Sequence, residues 1–322
     1  MKRILPLVLA LLVLPVAGRA ADAYQIAVIP KGTTDEYWKS IHAGALQAQR
    51  ELQAAGVAVT IIWKGPLRED DREQQVQVVE NFIGRQVSGI VLAPLDAHAL
   101  VAPVEEAVGA HIPVVVIDSG LQSPLPSSVV ATDNREGGRL AARRLGELLG
   151  GRGKAILLRY MVGSASTEER EAGFLEVMRR DFPGIELVST EQHAGATRDA
   201  AKRAGENLLN RFGSDLAGVF ASNESSASGM LLALRDAGLA GGKVKFVGFD
   251  ASQVLDQALA AGDVQGLVVQ DPVKMGYLGV KTIVAVLRGE KVPAQVDTGV
   301  GLVTPENMRD PVQAALLHPA VE

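Results

Sequence analysis

The hydrophobic positions of this chain form short continuous runs, and longer amphipathic stretches separate them. The runs at 88–93 and 112–117 are apolar almost throughout, which is typical of strands covered by helices on both faces. Ten runs are predicted strands: 24–30, 57–63, 88–93, 112–117, 153–158, 185–190, 216–221, 244–249, 264–269 and 296–303. Helical patterns lie between them at 36–55, 69–85, 97–110, 134–149, 166–181, 196–212, 224–238, 252–261 and 272–289. This alternation predicts an α/β fold with parallel sheets and right-handed crossovers.

Ten strands are too many for one comfortable sheet of this type, so we expect two. Residues 121–128 are rich in Ser and Pro and form a plausible break. Directly after them, residues 132–134 have side chains suited to cap a helix that begins near Arg135. The pattern therefore predicts two doubly wound, Rossmann-like lobes, the second of which begins near residue 131.

The first 23 residues have the pattern of a secretory signal peptide. Lys2 and Arg3 give a basic start, residues 4–17 are apolar, and small residues follow. An apolar run of this length is short of the roughly 20 residues that a membrane-spanning helix needs. We expect cleavage and export to the periplasm, with an uncleaved membrane anchor as the alternative.

Composition removes several classes of function. The sequence has no cysteine, which excludes disulfides, thiolate metal sites and cysteine nucleophiles. Its five histidines have no metal-ligand spacing, so we predict no metal and no cofactor. Loss of residues 1–20 would leave 29 basic and 37 acidic residues, a net charge of −8. Such an acidic chain is a poor candidate for binding nucleic acid.

The sequence contains no recognisable enzyme motif. The glycines at 150–153 precede a predicted strand instead of following one, and Ala155 stands where a phosphate loop needs Ser or Thr. No Gly-x-Ser-x-Gly elbow is present. Glu168, Glu169 and Glu171 are predicted to form a solvated helix face. We therefore predict that the protein is not an enzyme.

Polar or aromatic residues follow five predicted strands, where ligands bind in open α/β sheets. These ends are residues 31–38, Asp118 with Ser119, Asn223 with Glu224, Asp250, and Gln270. Asn223 and Asp250 each precede a helix, so capping is the alternative role for either residue alone. Five such ends at one edge of two sheets predict a ligand cleft between the lobes.

From about residue 24 to about 303, the chain resembles periplasmic sugar-binding proteins of the ribose/galactose type, the soluble receptors of ABC importers. The resemblance rests on Asp35, Tyr37 and Trp38, on 89–94 with Asp96, on 112–118, on 132–134 with Gly137 and Gly138, on 169–174, on Asn223 with Gly229, on 247–250 and on Gln270. It implies the type I periplasmic binding protein fold, in which two lobes close about a hinge of several segments. The implied first lobe is 24–131 plus 271–299, the second is 132–270 plus 300–322, and the hinge lies near 119–132, 270–272 and 297–301.

The resemblance also implies roles for individual residues. Tyr37 and Trp38 match the aromatic residues that stack on the sugar. Asp118 and Asp250 match the acids that bind its hydroxyls. The remaining matches are the pocket arginine, Arg170, and the pocket amides, Asn223 and Gln270.

Four features depart from the ribose type. Asp35 stands where asparagine is common, Ser119 stands where arginine is common, and no aromatic residue lies near 195–197. Lys31 is similar to a lysine of the autoinducer-2 and rhamnose branch, for which Trp63 and Lys64 are candidate rim residues. The predicted ligand-binding set is Lys31, Asp35, Tyr37, Trp38, Asp118, Ser119, Arg170, Asn223, Asp250 and Gln270.

The resemblance implies a monomeric receptor that passes a sugar or polyol to an inner-membrane ABC permease. Three alternatives stay open: a binding protein for a sensor kinase or chemoreceptor, a LacI-type regulator core, and a periplasmic enzyme acting on sugars. The regulator would need an N-terminal helix-turn-helix, but a signal-like segment occupies that end of the sequence.

Overall fold

The computed structural model describes residues 23–318. The predicted signal peptide lies outside the described residues, except for its last residue, Ala23. Within 23–318, no helix is both long enough and apolar enough to cross a lipid bilayer.

Twelve strands are present in the described part of the chain. They are β1 (Tyr24–Ile29), β2 (Val59–Trp63), β3 (Gly89–Leu92), β4 (Val114–Ile117), β5 (Ser128–Ala131), β6 (Gly153–Leu158), β7 (Ile185–Ser189), β8 (Leu216–Ala221), β9 (Lys245–Phe249), β10 (Gly266–Gln270), β11 (Gln295–Asp297) and β12 (Val300–Val303). They form two six-stranded sheets, with the orders β11-β5-β4-β3-β1-β2 and β12-β10-β9-β8-β6-β7. Every pairing is parallel except β10 with β12, so the predicted α/β fold with two sheets is confirmed.

Within residues 23–318, ten helices connect these strands or follow them. They are α1 (Glu36–Ala54), α2 (Arg72–Gly84), α3 (Val101–Gly109), α4 (Asn134–Leu148), α5 (Ala165–Asp181), α6 (Arg198–Phe212), α7 (Glu224–Asp236), α8 (Gln253–Ala261), α9 (Pro272–Leu287) and α10 (Pro311–Leu317). We call the first sheet with α1, α2, α3 and α9 the first lobe. The second sheet with the other helices is the second lobe.

Three details of the secondary structure differ from the prediction. The predicted single strand 296–303 is wrong, because Gly299 adopts a φ of 89° and divides the segment into β11 and β12, which belong to different sheets. Strand β5 was hidden in sequence, because only Val129 and Val130 follow the Ser- and Pro-rich stretch. Helix α10 was not predicted.

The chain passes between the sheets three times, after β5, after β10 and after β11. The crossings after β10 and β11 agree with the predicted hinge segments 270–272 and 297–301. The first is shorter than the predicted 119–132, because residues 128–131 still pair within the first sheet. The division into lobes at residues 131, 270 and 299 stays a prediction.

Both faces of each sheet are covered, which explains the continuous apolar runs. In β4, Val115 and Ile117 pack with residues of α1 and α9, whereas Val114 and Val116 face the side of α2 and α3. All four side chains are fully buried. Successive residues of a strand point to opposite faces, so a strand buried on both faces needs an apolar residue at every position.

Two helix pairs come unusually close, one in each lobe: α1 with α9, and α4 with α5. In each pair two glycines face backbone carbonyl oxygens of the partner helix, and an added Cβ atom would lie 1.8–2.0 Å from those oxygens. The glycines are Gly44 and Gly276 in the first lobe, and Gly138 and Gly173 in the second. These contacts hold α1 against α9 and α5 against α4, and α1 and α5 are the helices that carry Tyr37, Trp38 and Arg170.

Candidate functional site

A narrow cleft lies where the carboxyl ends of strands from both sheets meet. Nine of the ten predicted ligand-binding residues line it: Lys31, Asp35, Tyr37, Trp38, Asp118, Arg170, Asn223, Asp250 and Gln270. The accessible volume is only ≈40 Å³, room for about one to three water molecules. A molecule as large as a monosaccharide would therefore enter only if the walls of the cleft moved apart.

The first lobe contributes a buried ion pair between Lys31 and Asp118. Lys31 Nζ lies 2.9 Å from Asp118 Oδ2, and the hydroxyl of Tyr37 donates to Asp118 Oδ1 at 2.8 Å. Asp118 directly follows β4 with a φ of 64°, a left-handed conformation that aspartate tolerates better than most residues. Burial and the neighbouring Asp118 raise the pKa of Tyr37 well above its usual value, so Tyr37 remains a donor.

The second lobe contributes a matching pair, Arg170 and Asp250. Arg170 Nη1 lies 3.6 Å from Asp250 Oδ2, and its guanidinium stacks 3.8 Å from the ring centre of Phe249. Arg170 Nε also donates to Asn134 Oδ1 at 2.8 Å. Gln270 Nε2 donates to Asp250 Oδ1 at 2.7 Å. Burial raises the pKa of Asp250, although Arg170 opposes that shift.

Trp38 and Tyr37 form the aromatic wall of the cleft. Their rings meet edge to face, with centroids 5.1 Å apart and an interplanar angle of 87°. The indole nitrogen of Trp38 donates to Glu69 Oε1. The other oxygen of that carboxyl bonds the hydroxyl of Tyr160, which comes from the second lobe.

Three predicted residues have more particular positions. Asp35 precedes α1 without capping it, and burial followed by the charge of Glu224 raises its pKa. Asn223 lines the cleft and also caps α7 through Ser226 N, so the capping role is confirmed and its contact with a ligand stays a prediction. Ser119 lies outside the cleft lining, and its hydroxyl accepts a bond from Ser166 N at 3.1 Å, which joins the two lobes.

Comparison with known proteins identifies the family. The family model described as a periplasmic binding protein domain matches residues 26–291. The chain belongs to the periplasmic binding protein family. It is 30% identical over 290 residues to a D-ribose/D-allose-binding protein of Pseudomonas aeruginosa, covering 87% of this chain and 88% of that protein.

Solved structures of sugar complexes share the whole fold of this periplasmic binding protein. A carbohydrate transporter solute-binding protein from Agrobacterium radiobacter, in complex with D-arabinose, is 37% identical with a TM-score of 0.86, covering 92% of this chain and 100% of its own. An ABC transporter solute-binding protein from Agrobacterium vitis with bound D-fucose is 35% identical with a TM-score of 0.86, covering 91% and 100%.

Seven residues outside the predicted ligand-binding set also line the cleft of this periplasmic binding protein: Glu69, Tyr160, Ser164, Ser166, Thr167, Glu224 and Ser225. Tyr160 supplies the second-lobe aromatic residue that is missing near 195–197. One signal was available for it, because Tyr160 follows shortly after β6 and the sequence has only four tyrosines. Glu69 gave no such signal, because it lies among other charged residues.

Outside the cleft, we considered Trp63, a neighbouring groove and the possibility of a metal site. Trp63, a candidate rim residue, instead stacks on His42 at 4.5 Å. A larger groove of ≈510 Å³ flanks the cleft and shares Tyr37, Asp250 and Gln270 with it, but Lys31, Asp118 and Arg170 face the cleft alone. Within residues 23–318, no group of three or more His, Cys, Asp or Glu side chains is arranged to hold a metal ion.

Proposed function

We propose that this periplasmic binding protein is a receptor for a sugar or sugar-like polyol, which it binds in the cleft between its lobes. One observation carries the proposal. Each lobe presents a buried carboxylate beside a buried cation, Asp118 with Lys31 and Asp250 with Arg170. Both pairs face a cleft walled by Trp38.

The chemistry of these groups matches a sugar. An ionised carboxylate only accepts hydrogen bonds, and each oxygen has room for a hydroxyl proton. Charge-assisted bonds of this type are roughly twice as strong as neutral ones. Gln270 Oε1 adds a buried acceptor that has no partner among the residues the structure describes. The ring of Trp38 suits the C–H face of a pyranose or furanose.

Selectivity follows from the same burial. A ligand that lacks one hydroxyl would leave a carboxylate or amide in the cleft without a partner, and such a loss is costly in a buried site. We therefore expect this receptor to distinguish sugars by the positions of their hydroxyls more than by ring size alone.

Binding uses motion about the hinge, as is general for periplasmic binding proteins. Several bonds join the lobes in the described conformation, among them Lys31 Nζ to Ser166 Oγ at 3.1 Å and Ala97 N to Gly163 O at 2.9 Å. Separation of the lobes breaks these bonds and admits the ligand. A sugar that contacts both lobes then favours closure, because it binds the closed state more tightly than the open one.

We further propose a periplasmic location, a monomeric state and delivery of the sugar to an ABC permease of the inner membrane. Support comes from relatives named as ribose import binding proteins, such as that of Escherichia coli, which is 28% identical over 305 residues. The signal-like pattern of residues 1–23 agrees with export.

A thermal-shift panel tests the proposed ligand class. The purified protein is heated with pentoses, hexoses, polyols and deoxy-sugars, including D-ribose, D-allose, D-arabinose and D-fucose. A cognate sugar at about 100 times its dissociation constant should stabilise the protein by about 2.7 kcal/mol. The folded Asp118→Ala variant is the control and should respond less. If no sugar raises the melting temperature of the wild type, the proposal is wrong.

A further inference from the structure

Glu69 occupies a distinctive position in the cleft. It lies in the loop between β2 and α2, and its two carboxyl oxygens bond different lobes. Oε1 accepts from the indole of Trp38 in the first lobe, and Oε2 bonds the hydroxyl of Tyr160 in the second lobe. Separation of the lobes removes Tyr160 and admits water, whereas closure places the carboxyl between two aromatic side chains.

The charges around Glu69 do not compensate for this partial burial. Lys31 and Asp35 face it from the loop after β1. Arg68, Arg198 and Glu224 share the mouth of the cleft with it. Each of these cations already has a carboxylate partner: Asp118 for Lys31, Asp70 for Arg68 and Glu224 for Arg198. Loss of solvation therefore dominates and raises the pKa of Glu69 to about 7, although the bonds from Tyr160 and Trp38 and the charge of Lys31 oppose it.

We propose that Glu69 couples closure of the cleft to the uptake of one proton from solvent, so that the receptor holds its sugar more tightly in acid than in alkali. The inference rests on the proposed function. In the described structure the hydroxyl of Tyr160 donates to Oε2 and Trp38 donates to Oε1. A neutral carboxyl fits the closed site when the hydroxyl of Tyr160 rotates its hydrogen away, because Oε2–H then donates to the hydroxyl oxygen while Oε1 still accepts from Trp38. Glu69 thus acts as a positioning residue for the aromatic wall.

The direction of the effect follows from proton linkage. In the open form a hydrated Glu69 has a pKa near its ordinary 4.5, whereas in the closed form the pKa is about 7. Between these values closure binds a proton, so acid favours the closed form and the advantage disappears as pH rises through 7. Affinity should increase by about tenfold from pH 8 to pH 6 through this group alone.

The first test measures the dissociation constant of the best sugar from the panel between pH 5.5 and 8.5. The wild type should show the tenfold change. Glu69→Gln, which keeps a neutral side chain of the same shape, should change by less than about twofold and bind at pH 8 as the wild type does at pH 6. Glu73→Gln removes the same charge at an exposed site in α2 and should behave like the wild type.

A flat wild-type profile overturns the proposal, and so does a Glu69→Gln variant that keeps the full pH dependence. A purely structural role for Glu69 predicts a uniform loss of affinity at every pH instead. The matched Glu73→Gln profile separates a local proton effect from a change in net charge.

A second test follows the protonation of Glu69 by fluorescence. The sequence has two tryptophans, and the Trp63→Phe background leaves Trp38 as the reporter and removes the indole that stacks on His42. In the sugar-free, open receptor the emission of Trp38 should change with a midpoint near pH 4.5, and saturating sugar should move that midpoint to about 7. Glu69→Gln should abolish the transition. If every sugar fails in the panel, the proposed function is wrong, while the sugar-free titration still tests whether Glu69 titrates beside Trp38. The same midpoint with and without sugar, or flat emission in both, overturns the coupling.

Discussion

Each lobe places one aspartate and one cation in the cleft, but the two lobes hold these groups differently. Each ends a central strand with an aspartate in the left-handed region, Asp118 with a φ of 64° and Asp250 with a φ of 66°. The amide of each aspartate donates to a carbonyl of the neighbouring strand, at 3.2 Å and 2.8 Å respectively. Each carboxylate lies beside a buried cation, Lys31 or Arg170.

The cations differ in what holds them. Arg170 is fixed entirely within its own lobe by Asn134, the carbonyl of Ser222 and the ring of Phe249. Lys31 instead reaches across the cleft to Ser166. The second lobe therefore presents a preformed half-site, whereas the first lobe completes its half-site only when the lobes meet. Lysine, with a flexible stem and a compact charge, suits that changing position better than the rigid fork of arginine.

The largest expected difference concerns stability. Arg170→Met leaves Asp250 without its cation and also leaves Asn134 Oδ1 and the carbonyl of Ser222 without their donor, so it should lower the free energy of unfolding by about 3–5 kcal/mol. Lys31→Met should cost only about 1–3 kcal/mol, because its contacts besides Asp118 are two serine hydroxyls. Urea denaturation of the sugar-free variants measures both values. An equal or larger loss for Lys31→Met would contradict a preformed second half-site.

A smaller effect tests whether the helix contacts of the two lobes are equivalent. Gly44→Ala and Gly138→Ala each place a Cβ atom within 2 Å of a carbonyl oxygen of the partner helix, and overpacking should cost about 1–3 kcal/mol in each lobe. Gly84→Ala is the control, because nothing lies within 4 Å of its added Cβ. It should stabilise the protein by about 0.4–1 kcal/mol. If Gly84→Ala lowered the denaturation midpoint as much as Gly44→Ala and Gly138→Ala, the close helix contacts at Gly44 and Gly138 would be refuted.

The smallest effect separates closure from folding. Ser166→Ala removes the second-lobe hydroxyl that bonds Lys31 Nζ, and should weaken sugar binding by about 0.5–1.5 kcal/mol. The free energy of unfolding without sugar should change by less than about 0.5 kcal/mol. Calorimetric titration and urea denaturation of the same preparation give the two numbers. A loss of stability as large as the loss of affinity would place this bond in the fold and not in closure.

Much of the architecture was predictable, because a strand buried on both faces is apolar at every position and can be recognised in the local sequence. Continuous apolar runs located β3 and β4, and polar residues directly after strands located Asp118, Asp250 and Gln270. The segment 296–303 was predicted wrongly as one strand, because both of its strands are β-prone and only the conformation of Gly299 divides them between sheets.

Contacts between the lobes were not predictable in the same way. Glu69 follows Leu67 and Arg68, which are exposed, and nothing local distinguishes its carboxyl from a solvated one. It is partly buried, and its carboxyl bonds Tyr160 from the other lobe. Ser164 and Ser166 likewise gain their role from Lys31, more than 130 positions away in sequence. Sequence patterns report the burial of an element within its own sheet, whereas these contacts depend on how two sheets face each other.

The central claim is that one carboxylate from each lobe binds the same sugar, and calorimetric titration tests it most directly. The best sugar from the panel is titrated into the wild type, Asp118→Ala and Asp250→Ala, with circular dichroism to confirm that each variant is folded. We predict one sugar per chain and a loss of about 2–5 kcal/mol of binding free energy in each variant. Unchanged affinity in either folded variant would contradict the claim.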